Sequence, residues 1–102
     1  MEQINVLGVE NGALTIELSG DFDLSNADDF YSAVTAAYQA TPANVRFLCE
    51  NLNFIDSTTL GTFVKILKAL KTNGHSMQLT GLQAKIKKLF VICSLDSIME
   101  IA

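Results

Sequence analysis

The chain changes from strand to helix within residues 45–61, VRFLCENLNFIDSTTLG. The first part is an apolar run, and the second part, from Asp56 to Gly61, opens an amphipathic helix. A hydroxyl in the first turn of a helix lies beside unpaired backbone N–H groups and the positive end of the helix dipole. Phosphorylation there would add roughly −1.5 to −2 charge at one exposed point without a change of fold. Ser57 is therefore a candidate switch residue.

Composition predicts one domain that binds protein rather than nucleic acid. The 102 residues are 49% hydrophobic, and domains of this size bury roughly 60 to 70% of their unfolded surface. Residues 1–45 carry seven acidic side chains and no base, whereas the remainder has a net charge of +3. Nucleic-acid binding needs clustered bases, which a net charge of −4 disfavours. A protein partner is the better hypothesis.

The two cysteines and the apolar runs indicate an ordinary reduced, cytoplasmic chain. Cys49 lies in the strand pattern and Cys93 in a helix pattern, without Cys-x-x-Cys spacing. We expect both to be core residues, in neither a metal nor a redox site. No apolar run approaches the roughly 18 to 20 residues of a membrane span, and the N-terminus lacks the pattern of a signal peptide. We therefore expect no membrane insertion.

The first third of the chain predicts a hairpin followed by a helix. Two runs of alternating apolar residues flank Asn11-Gly12, a pair that tolerates positive φ. Ser25 and Asp28 have the spacing of a capping box, and apolar residues then recur with helical period as far as Pro42.

The rest of the chain alternates strands and helices. The run from Val45 to Asn51 indicates a strand covered on both faces of a parallel sheet. A second helix is expected to end at Asn73-Gly74, a strand follows near residues 77–79, a third helical stripe spans 86–93, and a short strand lies within 98–101. This order predicts a single α/β domain over residues 1–102. We expect a mainly parallel sheet of four to five strands, an N-terminal antiparallel hairpin, and helices packed against the sheet.

The predicted topology places two loops at one edge of the sheet. Residues 20–24 follow the second strand and residues 51–57 follow the third, and sites in open α/β sheets form at the carboxyl ends of the strands. Asp21 and Asp23 should therefore lie on the same rim as Asp56 and Ser57. A plain helix cap remains an alternative for Asp56 and Ser57, because such pairs commonly begin helices.

No pattern in the chain indicates catalysis. Ser57 lacks the glycine-flanked turn of a hydrolase nucleophile, and the single histidine, His75, is predicted on the surface about 25 Å away, beyond the far end of the second helix. A general base therefore cannot reach Ser57. A phosphate-binding loop ending in Lys-Ser or Lys-Thr is also missing. We expect a protein that is not an enzyme and that needs no cofactor or metal.

Three motifs in this order of elements resemble the STAS domain of bacterial anti-sigma factor antagonists. They are Gly20-Asp21-Phe22-Asp23, Phe54-Ile55-Asp56-Ser57-Thr58-Thr59-Leu60-Gly61 and Lys87-Lys88-Leu89-Phe90. The resemblance covers nearly the whole chain, and its most specific part is Asp-Ser followed by Leu-Gly. It implies that Ser57 is the phosphorylated residue. It also implies a partner-binding surface that comprises Asp21, Asp23, Asp56, Ser57, Thr58, Thr59 and Gly61.

The resemblance further implies a partner-switching regulator of transcription. The unphosphorylated chain would bind an anti-sigma factor, a serine kinase of the histidine-kinase-like ATPase fold. Phosphorylation would release it, and a metal-dependent serine phosphatase would reverse the modification. Thr59 stands where the family usually has glycine, and Thr58 offers a second hydroxyl for phosphorylation. The alternative is a constitutive subunit, similar to the STAS proteins of ABC lipid-transport or stress-sensing complexes, in which Ser57 only caps a helix.

Overall fold

One five-stranded sheet and three helices form the fold, and the computed structural model describes all residues from 1 to 102. In chain order the elements are β1 (Ile4–Glu10), β2 (Ala13–Phe22), α1 (Ala27–Ala40), β3 (Asn44–Ile55), α2 (Ser57–Thr72), β4 (Met77–Thr80), α3 (Ala84–Ile92), a 3-10 turn (Leu95–Ser97) and β5 (Glu100–Ile101). The strands lie side by side in sequence order. Strand β1 is antiparallel to β2, and every other neighbouring pair is parallel. The predicted fold class is confirmed.

The N-terminal hairpin is closed by the two residues that the sequence indicated. Glu10 pairs with Ala13, which leaves Asn11 and Gly12 as a two-residue turn. Their φ angles are 51° and 79°. Positive φ at both central positions is the requirement of a type I′ turn, whose twist matches that of the flanking strands.

The sheet is covered on one face only, which corrects the expectation that β3 is buried on both. Alternate residues of β3 are fully buried among residues of all three helices, whereas Arg46 and Leu48 are partly exposed on the opposite face. That open face carries a row of polar side chains. Arg46 Nε donates to Gln78 Oε1 at 2.7 Å, and Gln78 Nε2 donates to Glu100 Oε1 at 3.1 Å. An apolar residue on the open side, Leu48, made the run look continuous.

Phe63 of α2 lies at the centre of the core. Its ring packs edge-to-face against Phe30 of α1, Phe47 of β3 and Phe90 of α3, with centroid distances of 5.1, 5.5 and 5.4 Å. All four rings are fully buried. Edge-to-face pairs add about 0.5–1.5 kcal/mol each beyond the burial of their area. The cluster therefore holds three helices and the middle of the sheet in one unit.

The predicted capping box between Ser25 and Asp28 is wrong. The residue before α1 is Asn26, and its side chain makes no capping bond to the helix. Asn26 Oδ1 instead accepts from the backbone N–H of Asp23 at 2.9 Å, and the Ser25 hydroxyl donates to Asp23 Oδ1 at 2.5 Å. The polar side chains of this loop thus brace the loop itself rather than the helix.

The two cysteines lie in different environments. Cys49 is fully buried, and this burial, with a smaller effect from neighbouring Glu50, raises the pKa of its thiol to about 12. Cys93 is exposed at the end of α3, so its predicted core position is wrong. The buried stripe of α3 consists of Ile86 and Phe90 alone, because the chain leaves the helix through Ser94, which has a φ of 59°.

Other features bear on membranes, metals and catalysis. No helix combines the length and the apolar character needed to cross a bilayer. No cluster of three or more His, Cys, Asp or Glu side chains is arranged to hold a metal ion.

His75 follows α2, at the opposite end of that helix from Ser57, and its Nδ1 shares a hydrogen bond with the Tyr38 hydroxyl. It is half-buried, whereas the sequence predicted an ordinary surface residue.

Candidate functional site

The parallel register of β2 and β3 brings two acidic segments to one edge of the sheet. The ladder ends with Phe22 paired to Ile55, so Asp23 and Asp56 follow at the same level. Both strands are longer than the sequence indicated. Asp21 therefore lies in β2 rather than in a loop, and residues 51–55 belong to β3.

Two irregularities in β3 give it two more residues than the part of β2 with which it pairs. Where β2 advances from Gly20 to Asp21, β3 advances by two residues, from Leu52 to Phe54, and a similar shift occurs beside residues 17–19 of β2. An extra residue of this kind is a β-bulge, which bends the strand and re-aims its side chains. Leu52 remains fully buried, whereas Phe54 is 49% exposed.

The carboxylate of Asp56 joins the two segments. Oδ1 accepts from the backbone N–H of Thr59 at 2.9 Å and so caps α2, while Oδ2 accepts from the backbone N–H of Leu24 at 3.0 Å. The Thr59 N–H is the main cause that holds the pKa of Asp56 below its usual value, with smaller help from the Thr59 hydroxyl and the Leu24 N–H. Partial removal from water opposes this effect. The ionised form is therefore the one that the site stabilises.

Thr59 supports this edge of the sheet from below. Its side chain is fully buried, and its hydroxyl donates to the carbonyl of Phe22 at 2.8 Å and lies 3.0 Å from Asp56 Oδ1. The end of β2 is thereby fastened to the first turn of α2. A side chain in this position cannot reach a partner, so the expectation that Thr59 belongs to the partner-binding surface is corrected.

Ser57, Thr58 and Gly61 are accessible to different degrees. Ser57 is the first residue of α2 and is exposed, whereas Thr58 is half-buried. Gly61 is exposed, and a Cβ built on it would have no atom within 4 Å. The packing of this chain therefore does not require glycine at position 61.

The other two acidic residues flank this turn. Asp23 Oδ1 accepts from the backbone N–H of Ser25 at 2.9 Å, which holds the carboxylate at the loop. Asp21 is exposed at the end of β2, and its carbonyl accepts from Gln3 Nε2 at 2.5 Å and from Asn26 Nδ2 at 3.0 Å. We call the surface formed by Asp21, Asp23, Asp56, Ser57, Thr58 and Gly61 the switch rim.

The sequence did not identify two exposed apolar side chains beside the switch rim. Leu24 is 74% exposed in the loop after β2, and Phe54 projects from the bulged end of β3. Leu24 lies outside both the strand and the helix pattern of apolar residues, and this position could have indicated that its side chain is exposed. Phe54 gave no such signal, because its orientation depends on the bulge.

Comparisons with known proteins place this geometry in context. A family model described as the STAS domain matches residues 5–102. The anti-sigma-B factor antagonist of Staphylococcus aureus strain NCTC 8325 is 29% identical over 86 residues, which cover 84% of this chain and 80% of the relative. The Staphylococcus epidermidis protein of the same name is 28% identical over equal coverage.

Two solved structures share the fold. SpoIIAA, an anti-sigma factor antagonist, superposes in its unphosphorylated form with a TM-score of 0.75 at 17% identity, covering 97% of this chain and 86% of that one. The phosphorylated form of SpoIIAA, described as a Bacillus cell fate determinant, gives 0.74 at 20% identity, with coverage of 97% and 90%. At this level of identity the likeness concerns the fold alone.

Replacing Thr59 by valine should destabilise the domain without altering its shape. Thr59→Val removes the hydroxyl that bonds to the buried Phe22 carbonyl and lies beside the Asp56 carboxylate, and the loss of such a buried hydrogen bond costs about 1 kcal/mol or more. Urea unfolding would measure the loss. Thr58→Val, at the half-buried neighbour, is the control and should change stability by less than about 0.5 kcal/mol. Equal effects of the two substitutions would contradict the assigned support role.

Asp56 should make unfolding sensitive to acid. Because its pKa is lower in the folded chain than in the unfolded one, it contributes stability above the unfolded value of about 3.9, and this contribution is lost as the pH falls through the folded value. Asp56→Asn should therefore flatten the decline of the unfolding free energy below about pH 4. Urea titrations between neutral and strongly acidic pH would test this. An unchanged slope in the variant would contradict it.

Proposed function

The chain belongs to the STAS domain family, and we propose that within it the chain is an anti-sigma factor antagonist-like partner-switching regulator. In this proposal the unphosphorylated switch rim binds an anti-sigma factor that is also a serine kinase, and phosphorylation of Ser57 releases it. The observation that carries the proposal is the exposed position of Ser57 at the first turn of α2, directly after the capping residue. The relatives named as anti-sigma-B factor antagonists support the choice of partner class.

Phosphorylation of Ser57 would leave the fold intact. The first turn of α2 is already closed, because Asp56 accepts from the N–H of Thr59 through Oδ1 and from the N–H of Leu60 through its carbonyl. The new group would enter solvent from an exposed hydroxyl rather than displace a buried side chain. The positive end of the helix dipole would also favour an anion there. The half-buried position of Thr58 makes it the less accessible of the two hydroxyls.

The same phosphate would oppose docking. It would add roughly −1.5 to −2 charge beside Asp56, on a rim that also carries Asp21 and Asp23. A partner surface closely packed on the rim would have to remove water from this group, and like charges set against each other at an interface cost several kcal/mol. About 2.8 kcal/mol corresponds to a hundredfold loss of affinity. A modification at one atom is therefore sufficient to switch the complex.

The remaining components of the proposal follow from the resemblance to the family. The kinase has the histidine-kinase-like ATPase fold and supplies the ATP site, and a metal-dependent serine phosphatase restores the binding form. The chain itself acts as substrate and adaptor in the cytoplasm and catalyses nothing.

Substitutions at Ser57 should separate binding from modification. We expect Ser57→Ala to bind the partner that co-purifies with the wild-type protein and to resist phosphorylation, whereas Ser57→Asp should bind at least tenfold more weakly because it carries a permanent charge. Calorimetric titration would give both affinities. Ser32→Asp adds the same charge at an exposed position of α1 and serves as the control. Thr58→Ala should still be phosphorylated.

Equal affinities of Ser57→Ala and Ser57→Asp would contradict the switch. Intact-mass measurement of protein from its native cells would separate the alternative role, a constitutive subunit of a transport or stress-sensing complex. A phosphoryl adduct adds about 80 Da. Its absence under every growth condition would favour the constitutive subunit, in which Ser57 only begins a helix.

Gly61 should matter for the partner and not for the fold. Because a Cβ at this position meets nothing, Gly61→Ala should raise the unfolding free energy by up to about 1 kcal/mol through better helix propensity. The same variant should bind the partner more weakly, since the proposal places the partner's surface against this turn. Urea unfolding and calorimetry would measure the two effects. Undiminished affinity of Gly61→Ala would remove Gly61 from the switch rim.

A further inference from the structure

We propose that the outward surface of α2 and α3 docks on a lipid bilayer that contains anionic phospholipids. The surface combines exposed lysines with exposed apolar side chains at the end of α3, and it comprises Lys68, Lys71, Lys85, Lys88, Val91 and Ile92. We call it the basic helical face. It is separate from the switch rim and goes beyond the proposed function.

Helices α2 and α3 concentrate the positive charge of the chain. They carry six of its seven basic side chains and no acidic one, and all six are exposed: Lys65, Lys68, Lys71, Lys85, Lys87 and Lys88. Lys65 is directed toward α1, because its Nζ lies over the Tyr31 ring at 4.5 Å from the centroid. The other lysines extend from two helices that cover the same side of the sheet. A protein of net charge −4 thus presents one strongly cationic surface.

Much of the acidic charge lies at the opposite end of the molecule from the last turn of α3. Asp21 and Asp23 lie at the end of β2, and Asp28 and Asp29 lie in the first turn of α1. Because β4 and β5 are parallel, α3 returns the chain from the carboxyl end of one to the amino end of the other. The exposed Asp96, in the 3-10 turn, is the acidic residue closest to α3 along the chain. A bilayer at the end of α3 would therefore leave the switch rim free.

The last turn of α3 exposes apolar side chains beside these lysines. Val91 is 48% and Ile92 66% exposed, and Ile98, just after the 3-10 turn, is 41% exposed. Lys85, Lys88 and Ile92 are spaced three and four positions apart, which places them on one side of the helix. Surfaces on which apolar side chains enter the headgroup region while lysines stay beside the headgroups are typical of proteins that lie on a membrane.

The residue types favour a bilayer over a protein or a nucleic acid. Every base on this face is lysine, whereas protein interfaces and phosphate recognition favour arginine, whose planar group makes paired hydrogen bonds. Lysine is attracted to a negatively charged membrane without any fixed bonding geometry. A nucleic-acid backbone would also leave Val91 and Ile92 in water. An anionic lipid surface satisfies the charges and the apolar side chains together.

Sedimentation with vesicles tests this without any partner protein. The wild-type protein should bind vesicles that contain phosphatidylglycerol about tenfold more tightly than vesicles of phosphatidylcholine alone, and high salt should weaken the binding. The Lys85→Gln/Lys88→Gln double variant and, separately, Ile92→Ser should each lower the affinity about tenfold.

Two matched controls separate this face from net charge and from general apolar exposure. Ser32→Glu/Gln39→Glu, at exposed positions of α1, changes the net charge by as much as the lysine pair does. Val9→Ser removes an apolar side chain that is exposed on β1. Both controls should bind within about twofold of the wild type, because exposed charges beyond a Debye length are largely screened. Urea unfolding would confirm that every variant folds.

Cys93 allows a second measurement on the intact chain. Its thiol is exposed, whereas Cys49 is fully buried and its pKa is raised to about 12, so a thiol-reactive fluorophore should label Cys93 alone. Cys93 directly follows Ile92. The emission of the label should shift to shorter wavelength, and an aqueous quencher should lose access to it, when anionic vesicles are added.

Several outcomes would overturn the proposal. They are no binding to anionic vesicles, equal binding to neutral ones, or binding that is indifferent to the lysine pair or to Ile92→Ser. Equally tight binding to double-stranded DNA that survives Ile92→Ser would assign the lysines to nucleic acid. A wild-type dimer that Ile92→Ser dissociates would assign the apolar side chains to a second copy of this chain. Either result would also overturn the proposal, and all of them leave the Ser57 experiment independent.

Discussion

The bond network of the Asp56 carboxylate is the constraint on which the candidate site depends. One oxygen closes the first turn of α2, and the other holds the loop after β2 through the Leu24 N–H. Thr59 adds a second tie from beneath, to the Phe22 carbonyl. The β2–β3 ladder already sets the two segments side by side, and these bonds fix how the loop after β2 lies against the first turn of α2. The switch rim is thus a single rigid surface made from segments more than 30 residues apart.

The core explains why such a surface can carry a changing charge. Phe63 packs against rings from α1, β3 and α3 only two turns into the helix that begins with Ser57. Close-packed protein interiors of this kind do not deform gradually when a surface group is modified. In the proposed switch, a phosphate on Ser57 would therefore alter what can dock on the protein while the scaffold beneath stays the same.

Local patterns predicted most of the fold and part of the site. Asn11-Gly12 and Asn73-Gly74 defined a hairpin and a helix end, because turn chemistry acts between neighbours in sequence. Features that depend on contacts between residues distant in sequence could not be predicted from these local patterns. The burial of Thr59 follows from a carbonyl 37 positions away, and the exposure of Phe54 follows from a bulge that pairing with β2 creates. Cys93 shows the same limit, since an apolar pattern does not reveal where a helix leaves the core.

The row formed by Arg46, Gln78 and Glu100 affects whether copies of this domain associate with one another at high concentration. A sheet with one bare side resembles half of a sandwich, and an apolar surface there would invite stacking against a second sheet. Charged and amide groups that bond to one another along the strands keep that side hydrated. This polar row lies on the open face of the sheet, whereas the residues proposed for docking a partner protein lie at the carboxyl ends of β2 and β3, so those residues can change without exposing an apolar sheet face.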